Sequence, residues 1–177
     1  MAHRIVLIGF MGAGKSTVGP ILAARLGYDW VDTDAMIQER AGAPVTAIFR
    51  DRGEEAFREL EAEVLADLAQ RTGIVIATGG GAAAQERNRE FFTRGARVFH
   101  LRVSLRSVRE RTGADSGRPL LSRGDAEVQR LYDERARIYE VLGSAVETDG
   151  TSPDEVAERI ISLLAGPTVS RSPGEIG

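Results

Sequence analysis

A short apolar run, Ile5-Val6-Leu7-Ile8, leads into Gly9-Phe10-Met11-Gly12-Ala13-Gly14-Lys15-Ser16-Thr17, and a helical stretch to Leu26 follows. The middle segment satisfies G-x-x-x-x-G-K-[S/T], the pattern of a loop that wraps phosphate between a strand and a helix. No other feature of the chain restricts its fold as strongly. The glycines let the backbone curl so that successive N–H groups converge on phosphate oxygens. The helix beginning at Lys15 aims its positive end at the same point. The Lys15 ammonium reaches the outer phosphates, and the Ser16 hydroxyl is placed to ligate Mg²⁺. The pattern predicts a nucleoside triphosphate site along Gly12, Ala13, Gly14, Lys15, Ser16 and Thr17. It leaves the reaction open.

Downstream the chain alternates short apolar runs with longer segments of helical spacing. A helix over Lys15 to Leu26 ends at Gly27, the position of a C′ glycine. Tyr28 to Val31 reads as a strand, then Ala35 to Arg40 as a helix, and Pro44 to Phe49 as a brief helical turn. Gly53 to Arg71 carries Phe57, Leu60, Val64, Leu65 and Leu68 at helical spacing, which predicts a long amphipathic helix. Strands are expected at Ile74 to Ala77, Ala96 to Leu101 and Ala145 to Thr148. Helices are expected over Gln85 to Arg94, from Ser104 to Arg111, over Ala126 to Leu142, and from Ser152-Pro153 to Leu164. Strict alternation of strand and helix implies a parallel sheet covered on both faces. We expect one domain over residues 1–165, with a mobile loop at about 112–124 and a disordered tail from Gly166.

Composition excludes several function classes. The 23 basic and 26 acidic residues give a net charge of −3, which removes the polycationic surface that sequence-independent nucleic-acid binding needs. With no cysteine, disulfides, thiolate metal sites and cysteine nucleophiles are excluded. No apolar run is long enough to span a bilayer, and the N-terminus lacks the form of a signal peptide. The expected setting is the cytoplasm, without membrane or nucleic-acid partners.

The most hydrophobic strand, Ile74 to Ala77, ends in Thr78-Gly79-Gly80-Gly81 rather than in a metal-binding aspartate. The carboxylate that completes the metal site must come from elsewhere, and Asp32 and Asp34 are the candidates. Two residues apart in an extended segment, they would share one face, one toward Mg²⁺ and one toward the acceptor. The glycine triplet keeps the crevice at the strand end clear for a small acceptor. Among the arginines, Arg58 stands one turn from Glu54 and Glu61 and reads as part of a solvated ion-pair ladder. Arg111, Arg118, Arg123, Arg130, Arg135 and Arg137 are further cationic candidates that periodicity does not separate. His3 and His100 are isolated and receive no role, and Trp30 and the other aromatics read as core. The residues alone leave open a small-metabolite P-loop kinase, for instance a gluconate or nucleotide kinase, and a regulatory module that binds without turnover.

The combination of Gly9 to Thr17, Asp32-Thr33-Asp34, Phe57-Arg58-x-x-Glu61, Gly79-Gly80-Gly81, Arg118-Pro119-Leu120-Leu121 and Arg135-x-x-x-Tyr139 resembles the shikimate kinases, in order, over about Arg4 to Leu164. The resemblance implies an α/β, three-layer P-loop kinase fold of the nucleoside-monophosphate-kinase type, acting as a monomer. It implies transfer of the ATP γ-phosphoryl group to the 3-hydroxyl of shikimate, with Mg²⁺. Under it, Lys15, Asp34 and Arg118 are catalytic, and Asp34, Arg58, Gly79, Gly80, Gly81 and Arg135 bind shikimate. Glu61 supports Arg58, Ser16 and Asp32 serve the metal, Arg118 covers the phosphates from a lid, and Arg111 neighbours adenine. Pro20 departs from the family pattern: it removes a hydrogen-bond donor to the Ser16 carbonyl and is expected to bend the helix.

Overall fold

The structure, a computed structural model, describes residues 3–112 and 124–165. Strands β1 (Arg4–Ile8), β2 (Asp29–Asp32), β3 (Ile74–Ala77), β4 (Ala96–Arg102) and β5 (Ser144–Glu147) form one sheet in the order β2-β3-β1-β4-β5. Every pairing is parallel. This is the layered α/β architecture expected from the alternation of elements.

Alternation of side chains in β1 shows why the sheet is covered twice. Ile5 and Leu7 enter a cluster with Val18, Leu22, Phe99 and Ile160, under α1 (Lys15–Leu26) and the C-terminal helix Pro153–Ala165. Val6 and Ile8 enter the opposite cluster with Ile37, Phe57, Val64, Leu65 and Tyr139. That second cluster is built by α2 (Thr33–Ala41), α3 (Val45–Leu68), α4 (Arg89–Thr93) and the later helix Asp125–Leu142. Each fully buried Ile or Leu contributes about 1.5–3 kcal/mol. Arg4, though buried in β1, donates to the carbonyls of Ala69, Phe91 and Arg94, at the C-terminal ends of α3 and α4. A cation suits those carbonyls because helix C-termini carry partial negative charge.

α1 continues through Pro20 to Leu26 and closes at Gly27. A fifth helix, α5 (Leu105–Thr112), starts where Ser104 Oγ accepts from Ser107 N at 3.2 Å, as the sequence predicted. α6 (Asp125–Leu142) precedes β5, and α7 (Pro153–Ala165) opens with Ser152 and Glu155 capping each other's backbone amides.

The helical segment α3 breaks at Gly53, which has φ 83° and ψ 173°, so a first helix from Val45 and the long helix beyond Gly53 are distinct, as expected. Only glycine adopts such a backbone without strain. One expectation is corrected. The segment Gln85 to Arg94 forms a 3₁₀ turn, Glu86–Asn88, and then the short α4, with another 3₁₀ turn at Ala82–Ala84 just before it. The expected lid at about 112–124 and the tail from Gly166 lie outside the described residues, apart from the ends of the first range.

Candidate active site

The phosphate loop leaves the buried β1 and turns through Gly12 (φ 73°) and Gly14 (φ 90°), which caps α1. Left-handed backbone at both positions turns the amides inward, and a residue with a Cβ would be strained there. Lys15 Nζ folds back to donate to the carbonyls of Gly9 (2.7 Å) and Phe10 (3.1 Å), so its ammonium lies across the loop it serves. Arg111 reaches the loop from α5, donating to Gly12 O at 3.0 Å and to Thr148 O at 2.7 Å. It thereby ties the phosphate loop to the turn after β5.

Next to this loop, Ser16 Oγ donates to Asp32 Oδ2 at 2.9 Å. The other oxygen, Asp32 Oδ1, caps α2 by accepting from Asp34 N (3.0 Å) and Ala35 N (3.4 Å). The capping role corrects the expected geometry of the aspartates. Asp32 is extended, but Thr33 already begins α2, so Asp34 lies in the first helical turn and the two do not share a strand face. Helix geometry instead sends Asp34 toward the glycine triplet, to which the segment is pinned by a bond from Gly79 N to Thr33 Oγ1 (3.2 Å).

The triplet itself explains the acceptor crevice. None of its glycines has a positive φ, so backbone conformation is not the reason for them. Close approach is. A Cβ at position 79 would lie 2.7 Å from Asp34 Oδ1, one at 80 would lie 3.2 Å from an Arg135 nitrogen, and one at 81 would lie 2.8 Å from an Arg58 nitrogen. Each glycine is thus the floor under one of the three side chains. The Gly80 position is also 3.6 Å from the Gly9 carbonyl, so the crevice abuts the phosphate loop.

Arg58 overturns the solvated-ladder reading. It is 9% exposed, over the Phe57 ring, and pairs with Glu61 at 3.0 Å, a carboxylate that is itself 1% exposed. Glu54 adds a second, exposed carboxylate at 3.2 Å. Burial pushes the Glu61 carboxyl above the usual range, against the opposing pull of Arg58. Arg135 sits over the Phe10 ring at 5.8 Å, whereas Arg130 and Arg137 on the same helix are exposed. Arg118 and Arg123 lie outside the described residues. Phe49 departs from the core reading, being 37% exposed with its ring 4.5 Å from Phe57. His100 is buried in β4, and burial pushes its pKa down.

Sequence reasoning assigned nothing to Asn88 and quoted Thr33 and Tyr139 only within motifs. Tyr139 is buried and donates to the Gly80 carbonyl, and burial pushes its hydroxyl up to about 12. Residue type held no signal for these three, because each acts through a partner far away in sequence.

A triphosphate loop beside a crevice walled by Asp34, Arg58 and Arg135 is an arrangement with known relatives. The family model for shikimate kinase matches residues 11–165. The chain belongs to the shikimate kinase family. A shikimate kinase from Legionella pneumophila (strain Corby) is 44% identical over 167 residues, covering 93% of this chain and 95% of that protein. The structure of the shikimate kinase from Acinetobacter baumannii in complex with shikimate superposes with a TM-score of 0.87 at 36% identity, covering 93% and 94% of the two chains. A gluconokinase from Sinorhizobium meliloti shares the fold alone, at a TM-score of 0.59 and 23% identity over 93% of this chain and 92% of that one. Membership in the shikimate kinase family makes this chain an ATP-dependent kinase acting on shikimate.

Proposed function

We propose that the chain transfers the γ-phosphoryl group of ATP to the 3-hydroxyl of shikimate through the crevice between Lys15 and the glycine triplet. The observation that carries this reading is the convergence of one carboxylate, Asp34, and two guanidinium groups, Arg58 and Arg135, on three successive glycines beside the phosphate loop. A ring bearing hydroxyls and one carboxylate matches that set. The forked donors of arginine pair two oxygens at once, which favours a carboxylate over a neutral group.

Phosphoryl transfer has a loose transition state, so the protein's work is alignment and neutralisation of spread negative charge. The loop amides and Lys15 hold the phosphates. Asp34 orients the acceptor hydroxyl and accepts its proton as the new bond forms. Arg58 and Arg135 hold the ring by its carboxylate, so the hydroxyl rather than water meets the phosphorus. The Ser16 hydroxyl and the Asp32 carboxylate, 2.9 Å apart, form a hard-oxygen donor pair suited to Mg²⁺. Bound there, Mg²⁺ supplies further neutralisation of phosphate charge. Arg111, tied to Gly12, is read as a neighbour of the adenine. No described helix is long and apolar enough to cross a membrane. The net charge of −3 offers no polycationic surface for nucleic acid, and we read the chain as a cytoplasmic enzyme.

Coupled ADP release with Mg²⁺-ATP against shikimate, quinate, gluconate and nucleoside monophosphates tests the reading. Turnover is expected with shikimate well above the others. Preference for gluconate or a nucleotide, or binding of shikimate without ADP release, would overturn it.

A further inference from the structure

Asn88 ends the second 3₁₀ turn and is 3% exposed. Its Nδ2 donates to the Ala82 carbonyl at 3.0 Å and to Glu61 Oε2 at 3.4 Å. A single buried amide therefore joins the backbone just past the glycine triplet to the carboxylate that holds Arg58. Ala82 N in turn donates to Gly79 O at 3.1 Å, so the connection extends to the floor of the crevice.

We infer that Asn88 is a positioning residue for acceptor binding, its amide holding Glu61 and the Ala82 end of the triplet in register so that Arg58 faces the acceptor carboxylate. This inference rests on the assignment of Arg58 to that carboxylate.

The charges around Glu61 explain why one amide matters. Arg58 faces it from its own helix, Asp34 from α2, and Asn88 and Arg87 from the 3₁₀ turn. Burial and Asp34 oppose ionisation of Glu61; Arg58 and Asn88 favour it. Removing the amide donor takes away one of the groups that keep Glu61 charged, so protonation occurs at a higher pH. A protonated Glu61 no longer forms an ion pair with Arg58, and the guanidinium loses its fixed orientation. Loss of Asn88 is therefore a defect in acceptor binding that worsens with acid.

The experiment measures steady-state kinetics of the full chain with Mg²⁺-ATP and shikimate, from about pH 5.5 to about pH 8.5. In Asn88→Leu, a near-isosteric change without a donor, the shikimate KM is expected to rise about tenfold at neutral pH. It should climb further as pH falls, while the ATP KM and kcat stay within about twofold of the parent. Combining N88L with Glu61→Gln should abolish the pH-dependent part, because no carboxyl remains to titrate. Asn88→Asp, which sets a second carboxylate beside Glu61, should show the same defect with a steeper pH dependence. A shikimate KM that is unchanged, rises equally at every pH, or rises together with the ATP KM overturns the inference. Failure of both N88L and N88D to fold overturns it too, since Asn88 would then be a packing residue. Arg58→Ala separates the two readings. An unchanged shikimate KM there refutes the assignment of Arg58, whereas a raised KM alongside a normal N88L refutes only the role of Asn88.

Discussion

Ser16 Oγ and Asp32 Oδ2 meet at 2.9 Å, joining the first turn of α1 to the last residue of β2. Asp32 does two jobs with its two oxygens, since Oδ1 caps α2. Asparagine keeps the capping acceptor but loses the negative charge; alanine loses both. Asp32→Asn should therefore raise the Mg²⁺ concentration for half-maximal rate by about tenfold or more with little change in stability. Asp32→Ala should add a stability loss of about 0.5–2 kcal/mol. Mg²⁺ titration of initial rates and urea unfolding check the pair. Equal Mg²⁺ dependence in D32N and the parent would remove Asp32 from the metal site.

Lys15 is the cation that lies over the phosphate loop. Its replacement by alanine should lower kcat by about 10²- to 10³-fold or more, the scale of losing a preorganised charge on a transferring group. Shikimate binding, followed by calorimetry, should persist. Near-normal ADP release by K15A would contradict the phosphate-loop assignment.

The glycines of the triplet should separate kinetically. A Cβ at position 79 presses on Asp34, and one at 81 presses on Arg58. Gly79→Ala is expected to reduce kcat chiefly, because it displaces Asp34, the group proposed to orient the reacting hydroxyl. Gly81→Ala is expected to raise the shikimate KM chiefly. Full kinetic constants for both variants decide this, and identical patterns in the two would show that the triplet acts only as a turn.

Glu61 carries a stability signature with a definite sign. Its folded pKa is raised above the ordinary 4.5 by burial, so the folded chain holds this proton more tightly than the unfolded chain. The group's contribution therefore falls as pH rises from about 4.5 through its folded pKa. Against Glu61→Gln, the parent should be relatively more stable at the acid end of that window and lose ground as pH increases. Chemical unfolding of both proteins across the window measures the difference. A difference independent of pH would mean that Glu61 does not titrate there.

Gly19 in α1 tests packing away from the chemistry. A Cβ there would sit 1.9 Å from the Trp30 ring, which is pressed against this helix. Gly19→Ala should gain helix propensity yet lose about 1–3 kcal/mol net from overpacking. The loss should appear as a lower Tm, with both KM values near those of the parent.

The phosphate loop was legible because its chemistry is local: amides, ammonium and hydroxyl all come from consecutive residues, and their order in the chain is their order around the phosphate. The parallel sheet was legible for a similar reason, since alternating strands and helices leave few ways to bury β1 on both faces. Arg58 was different. Residues i+3 and i−4 of opposite charge look the same on a solvated helix and on a buried one, and the residues themselves favoured the solvated reading. Only the resemblance to a known family pointed to its role.

Taken by itself, the chain's order of residues determined that a triphosphate is held between β1 and α1 within a layered α/β fold, since those features depend on neighbours in sequence. Tertiary structure alone decided that Asp34, Arg135 and Arg58 each stand over one glycine of the triplet, and that Asn88 reaches Glu61. Charge burial is set by which distant segments exclude water from a side chain, and no local pattern records that.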